Sequence, residues 1–248
     1  MSDLLVGRNP VMEALKSGRE IEKLLMQKGG EGSAKKIEAL ARERRIRIQF
    51  VDRAALDRIT AGMPGGNAHQ GVVAYVSSYR YYDVEDLLNR AAEKGEDPFL
   101  ILLDGIEDPH NLGAIMRTAD GAGAHGVIIP KRRAVGLTDT VAKASAGAVE
   151  YVPVAKVSNL AQTIDFLKEK GVWIGACDMD GSAYYERDLT GPIAIVIGGE
   201  GSGVSRLVRE SCDFILSIPM EGKISSLNAS NAAAILMYEI NRQRRGKS

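Results

Sequence analysis

Cysteine is scarce in this chain. Of 248 residues only Cys177 and Cys212 are cysteines, too few for a disulfide framework or a cysteine-ligated metal centre. No uninterrupted apolar run approaches the ~20 residues of a membrane-spanning helix, and the first residues lack the layout of a signal peptide. A membrane protein and a secreted mini-scaffold are therefore excluded, and a reducing cytoplasm is expected. No His, Asp or Glu set has metal-ligand spacing, so no metal is expected. Net charge is also absent, with 32 Lys+Arg against 32 Asp+Glu. That balance hides an uneven distribution. Residues 1–80 hold 14 basic and 9 acidic residues, residues 81–240 hold 14 and 23, and residues 241–248 hold four basic residues and no acid. Basic ends on an acidic body suit contact with a polyanion.

The 45% apolar content is enough for a core. Up to residue 78 the chain reads as a small α/β domain. Helices are expected over 11–16 and 34–44, and strands over 21–26, 47–51 and 71–76. Residues 79–97, with Tyr79, Tyr81, Tyr82 and a polar helix over 84–94, read as a linker in which the tyrosines pack locally. From 98 to 248, apolar strand candidates at 99–103, 126–129, 152–154, 172–176, 193–197 and 214–218 alternate with helix-length sequence. That alternation predicts a parallel sheet covered by helices. An Ala-rich helix over 227–243 closes the chain.

Two glycine clusters need sorting. Gly121-Ala122-Gly123-Ala124-His125-Gly126 matches G-x-G-x-x-G, but it follows a helix and enters a strand, the reverse of a dinucleotide fingerprint. It reads as a plain turn. Gly198-Gly199-Glu200-Gly201-Ser202-Gly203 does follow a strand and precede a helix. It lacks the Lys-Ser/Thr pair of a P-loop, and Glu200 would repel phosphates, so its ligand should be neutral or cationic near that carboxylate.

Two further polar segments stand at strand ends. Asp108-Pro109-His110-Asn111 opens a helix carrying Arg117. Ile218-Pro219-Met220-Glu221-Gly222-Lys223-Ile224-Ser225-Ser226-Leu227-Asn228 leads into the final helix. Ligands of open parallel sheets bind beyond the carboxyl ends of strands, so the three segments should converge.

In order and content, these three segments resemble the motifs of the SpoU/TrmH family of RNA 2′-O-ribose methyltransferases, within the SPOUT superfamily. Asn67-Ala68-His69-Gln70-Gly71-Val72 and its surroundings are similar to the small domain, like ribosomal protein L30e, carried by the RlmB branch that modifies 23S rRNA. The resemblance implies an α/β sheet with a C-terminal trefoil knot, S-adenosyl-L-methionine as cofactor, a homodimer whose sites are completed by the partner subunit, and a guanosine ribose of 23S rRNA as substrate. It places Asn111, Arg117, Glu200, Ser226 and Asn228 as catalytic residues. Gly198, Gly199, Glu200, Ile218, Met220, Leu227 and Asn228 become cofactor contacts, largely through main chain. A guanidinium is too basic to take a proton, so Arg117 is read as gripping a phosphate and stabilising the developing alkoxide. Asn228 would orient the hydroxyl or hold that arginine. Asn231 departs from the small apolar residue of the family pattern, which bears on local packing.

Among the remaining residues, His110 is a candidate RNA contact, while His69 and His125 read as structural. Cys177 and Cys212 read as buried small apolar residues. Arg42, Arg44, Arg45 and Arg47, with the tail Arg242, Arg244, Arg245 and Lys247, are expected at phosphates. Two other functions fit the same residues: the same chemistry on tRNA, and a non-catalytic RNA-binding assembly factor.

Overall fold

The computed structural model describes residues 3–17, 21–63, 68–76, 79–223 and 226–246. Asn67, Ile224, Ser225 and Lys247, all in segments singled out above, lie outside the described residues. The chain divides into two compact units, Met1–Tyr79 and Arg80–Ser248.

The first unit runs β1 (Asp3–Val6), α1 (Arg8–Ser17), β2 (Ile21–Gln27), α2 (Ser33–Glu43), β3 (Ile48–Val51), α3 (Arg53–Thr60) and β4 (Val72–Val76). Its sheet has the order β1-β4-β2-β3, with β4 antiparallel to β1 and β2, and β3 parallel to β2. Alternate strand residues serve opposite faces. Leu24, Val72, Ala74 and Val76 pack with Val11, Leu15, Ile37 and Ala41 of α1 and α2. Leu25 and Val73 meet Leu56 of α3 on the other side. The helix α3 was not foreseen. Asp52 starts it by accepting the Ala55 N–H at 2.7 Å.

The second unit runs α4 (Val84–Lys94), β5 (Phe99–Asp104), α5 (Pro109–Ala122), β6 (Gly126–Pro130), α6 (Asp139–Ala144), β7 (Val154–Val157), α7 (Leu160–Glu169), β8 (Trp173–Ala183), β9 (Ile193–Gly198), α8 (Arg206–Ser211), β10 (Phe214–Ser217) and α9 (Ala229–Arg245). All neighbours in its six-stranded sheet, order β10-β8-β9-β5-β6-β7, are parallel. Phe99 to Leu103 are buried without a break, as expected for a strand covered on both faces.

Residues 79–97 are not the expected linker. Helix α4 belongs to the second unit because Val84, Leu87 and Ala91 are buried there, with Leu87 lying over Gly126 where a side chain would displace it. The Tyr82 N–H donates to the Val154 carbonyl at 2.9 Å, and the Tyr81 hydroxyl accepts from Leu137 N–H at 2.6 Å. The expected strand at 152–154 begins two residues later, since a 3-10 turn over Ala148–Glu150 precedes it and Pro153 has no N–H to offer a ladder. The glycine cluster at 121–126 is a helix-to-strand turn, with Gly123 as left-handed cap at φ 78°.

Both structural histidines are buried. The ring of His69 accepts the Gly71 N–H at Nδ1 (2.9 Å) and meets Asp57 through Nε2 (2.9 Å). In His125, Nδ1 accepts the Phe99 N–H at 3.0 Å and Nε2 meets Glu96 at 3.0 Å. Burial lowers the His125 pKa below 6.5 despite the carboxylate. With Nδ1 facing a donor, the neutral ring carries its proton on Nε2.

Two of the tail arginines have protein partners, while Arg245 stays exposed. Arg242 is held by Glu239 (2.8 Å), and Arg244 donates to the carbonyls of Asp97, Pro98 and Gly191 at 3.0, 3.0 and 2.8 Å. Arg244 therefore fastens the end of α9 to the segments before β5 and β9 and is not available to phosphate. In the first unit Arg42 pairs with Glu38 at 2.8 Å, while Arg44, Arg45 and Arg47 stay exposed.

Candidate active site

Three loops leave the carboxyl ends of β5, β9 and β10. The first is shaped by Asp108, whose carboxylate accepts the His110 N–H at 2.9 Å, with Pro109 in the first turn of α5. This sets Asn111, 7% exposed, just inside the helix. The second loop is folded back on itself. The Gly199 N–H reaches the Asp104 carbonyl (2.8 Å), the Gly203 N–H reaches the Gly199 carbonyl (3.0 Å), and Asp104 Oδ2 accepts the Ser205 N–H (2.7 Å). A Cβ on Gly198 would collide with the backbone of Gly203 and Val204, and one on Gly199 with the Gly105 carbonyl. Gly203 itself turns at φ 62°, which suits only glycine well. In the third loop Asn228 caps α9, its Oδ1 accepting the Ser230 N–H at 2.9 Å and hydroxyl at 2.6 Å.

The loops meet through side chains. Asn111 Nδ2 donates to Glu200 Oε1 at 3.0 Å. Asn228 Nδ2 donates to the same oxygen at 2.6 Å and to Asn111 Oδ1 at 3.0 Å. The three residues close a triangle. Each amide has one orientation in it, and Glu200 Oε2 is left without a partner among the described residues. Asn228 was expected to orient a hydroxyl or hold Arg117; its partners are Asn111, Glu200 and Ser230.

Beside this triangle lies a cavity of about 620 Å³. Gly198, Gly199 and Glu200 line it from the second loop, and Ile218, Met220, Ser226, Leu227 and Asn228 from the third. Arg117 does not line it. Six residues beyond Asn111, it stands about 240° further round α5; it is exposed and makes no hydrogen bond or ion pair with the described residues. His110 is exposed as well, and Asn231 is exposed without disturbing packing.

Sequence reasoning missed one wall. Cys177, Asp178 and Met179 line the cavity because β8 extends well past residue 176, to its own carboxyl end. The strand-end rule used for the other loops would have found them. Arg209 of α8 holds Asp178 at 3.1 Å and Asp180 at 3.4 Å. Burial pushes the Cys177 thiol up to about 11 and that of Cys212 up to about 12, so both are neutral near pH 7. Cys212 lies at the end of α8, with its Sγ 3.1 Å from the Val208 carbonyl. Neither cysteine is fully buried. Among the described residues the lining contains two carboxylates, Asp178 and Glu200, and no Lys, Arg or His. Such a lining suits a cationic or neutral ligand over a phosphate.

Residues 98–238 match the SpoU rRNA Methylase family model, and residues 4–82 match the model described as RNA 2′-O ribose methyltransferase substrate binding. The chain is 51% identical over 245 residues to the TrmH-family tRNA/rRNA methyltransferase YacO of Bacillus subtilis, covering 98% of this chain and 96% of that one. The chain belongs to the SpoU/TrmH methyltransferase family. Among solved structures, the SpoU methyltransferase AviRb of Streptomyces viridochromogenes, in complex with AdoMet, matches with a TM-score of 0.62 and 29% identity, over 98% of this chain and 90% of that one. The AdoMet-bound rRNA methyltransferase of Sinorhizobium meliloti matches with a TM-score of 0.58 and 26% identity, over 96% and 86%. Among the described residues no helix is long and apolar enough to cross a membrane, and no group of three or more His, Cys, Asp or Glu could hold a metal.

Proposed function

We propose that this SpoU/TrmH chain transfers a methyl group from S-adenosylmethionine to the 2′-hydroxyl of a guanosine in 23S rRNA, in the cytoplasm, as a homodimer with a C-terminal trefoil knot. One observation carries the reading: Asn111, Glu200 and Asn228, from three separate strand ends, close a hydrogen-bonded triangle at the rim of a cavity whose charged groups are carboxylates. The donor set fits the cofactor. S-adenosylmethionine supplies an electrophilic methyl group on a cationic sulfur. Gly198 and Gly199 bring bare backbone to the cavity, Ile218, Met220 and Leu227 give it apolar surface, and Glu200 and Asp178 favour positive charge.

The chain's own task is largely positioning, since in-line displacement demands alignment of three atoms. Asn111 and Asn228 hold Glu200 in one rotamer, and its free Oε2 is aimed to accept a hydrogen bond from a ribose hydroxyl. Ser226 lines the same rim. Arg117, unpaired and exposed, is suited to a site completed by a second copy of the chain. There it grips a phosphate and offsets the developing alkoxide charge.

The choice of rRNA rests on coverage. The tRNA-modifying TrmH/SpoU enzyme of A. aeolicus, 31% identical with a TM-score of 0.56, matches only 66% of this chain, whereas the S. meliloti rRNA enzyme spans 96%. The name of the YacO relative, which includes tRNA, keeps tRNA as the second reading. Mapping ribose methylation in total RNA from cells with and without the gene tests both. Loss of one 2′-O-methylguanosine from 23S rRNA is expected, loss from tRNA would favour the second reading, and an unchanged map would overturn the proposal.

A further inference from the structure

Arg242 is tied to Glu239 and Arg244 to three carbonyls, which leaves Arg245 as the one exposed and unpaired arginine of the described tail. The cavity does not supply a phosphate-binding surface, because its own charges are carboxylates. Lys131-Arg132-Arg133 is the only run of three consecutive cationic residues in the chain.

These residues follow β6, whose carboxyl end lies beside that of β5 in the parallel sheet, on the edge that carries the active-site loops. All three are exposed, and none of their side chains makes a hydrogen bond or ion pair with the described residues. Four other cations of the unit are engaged, Lys168 by Asp213, Arg206 by Glu210, Arg209 by Asp178 and Arg242 by Glu239, whereas Arg117 is exposed and unpaired like the three of this loop. The loop is nevertheless pinned. The Lys131 N–H donates to the Val157 carbonyl at 2.8 Å, the Val135 N–H to the Ile106 carbonyl at 2.9 Å, and the Leu137 N–H to the Tyr81 hydroxyl at 2.6 Å. Ile106 is buried two residues before Asp108, the cap that sets Asn111. The loop is thus fastened to the segment that presents the triangle. Arg133 holds a left-handed backbone at φ 55°, uncommon for a long side chain.

We infer that Lys131, Arg132 and Arg133 grip the phosphates of the RNA strand around the target ribose. The inference rests on the RNA-methyltransferase reading and deepens it. Substrate RNA must bring its anionic backbone to a rim that bears carboxylates, and unpaired cations on the same edge offset that repulsion. Guanidinium forks match phosphate oxygens bidentately, and a pinned loop loses little freedom on binding.

The test compares the full-length chain with a Lys131→Gln/Arg132→Gln/Arg133→Asn variant, asparagine being chosen because it tolerates the left-handed backbone. RNA affinity is measured on a 23S rRNA fragment across roughly 50 to 300 mM salt, with S-adenosylmethionine affinity and Tm in parallel. RNA binding should weaken about tenfold or more, and the slope of log affinity against log salt should fall by about two. Cofactor affinity and Tm should not change. A second variant, Lys131→Gln/Arg132→Gln, leaves Arg133 and its backbone intact and should lower the slope by about one and a half. Unchanged RNA affinity and slope in both variants overturns the inference while leaving the methyltransferase reading standing. A wild-type chain that binds neither S-adenosylmethionine nor RNA overturns both.

Discussion

Both units bury polar side chains, and the partners of those side chains differ. His69 in the first unit and His125 in the second each take a backbone N–H on Nδ1 and a carboxylate on Nε2. They answer backbone N–H groups at or beside strands of their own units, and neither lines the cavity of the candidate site. Asn111 in the second unit is buried too, but its amide is answered by Glu200 and Asn228, residues far away in the chain, at the mouth of a cavity. A buried polar group that answers a strand's backbone and a carboxylate within its own unit stabilises a fold. One satisfied by distant side chains at strand ends holds a site in shape.

Substitutions in the site and in the frame should act differently. The largest effect should come from Gly198→Val, whose side chain has no room against Gly203 and Val204. S-adenosylmethionine binding should be lost, by calorimetry, and retained affinity would remove Gly198 from the cofactor wall. Next, Leu87→Ala should destabilise the second unit by about 2–5 kcal/mol in denaturant unfolding, because Leu87 is fully buried in its core. A merely connecting segment would show almost no change. Arg117→Ala should lower turnover on the order of a hundredfold, as removal of a charge-stabilising donor does. Its cofactor affinity should stay near wild type; loss of that affinity would contradict the assigned role.

Smaller effects concern the frame. His125 has a folded-state pKa below 6.5, so the unfolded chain binds its proton first as pH falls. Its contribution to stability is complete above pH ~6.5 and declines as pH drops from there towards the folded-state pKa. His125→Asn, which retains an acceptor near Nδ1, should flatten Tm against pH in that window, and an equally steep profile would contradict burial as the cause. Asp52→Ala, which removes the cap of α3, should destabilise the first unit by about 1 kcal/mol. It should leave cofactor affinity untouched, since Asp52 is not among the residues that line the cavity.

Much of this was legible in the sequence, for identifiable reasons. Long apolar strands such as β5 and β9 were found within a residue because unbroken Ile, Leu and Val runs have few other interpretations in an α/β chain. The convergence of the three loops was legible because Asn111, Glu200 and Asn228 each stand where a strand ends and a helix soon begins; that their side chains bond to one another was not. Other features were hidden. Short β1 and amphipathic α3 gave weak periodicity. The outer half of β8, with Asp178, Asp180 and Gly181, has turn-like composition and extends only because β10 pairs with it as far as Ala183. Leu87 fixes α4 to the second unit through a contact with Gly126 that no local pattern encodes. Arg244 looks like any tail cation until three carbonyls are found around it.

Titrating purified protein with S-adenosylmethionine in a calorimeter tests the central assignment most directly. A saturable heat is predicted for the wild-type chain, diminished when Asn228→Ala removes the shared donor of the triangle. Absence of any binding heat from folded wild-type protein would contradict the assignment of the cavity.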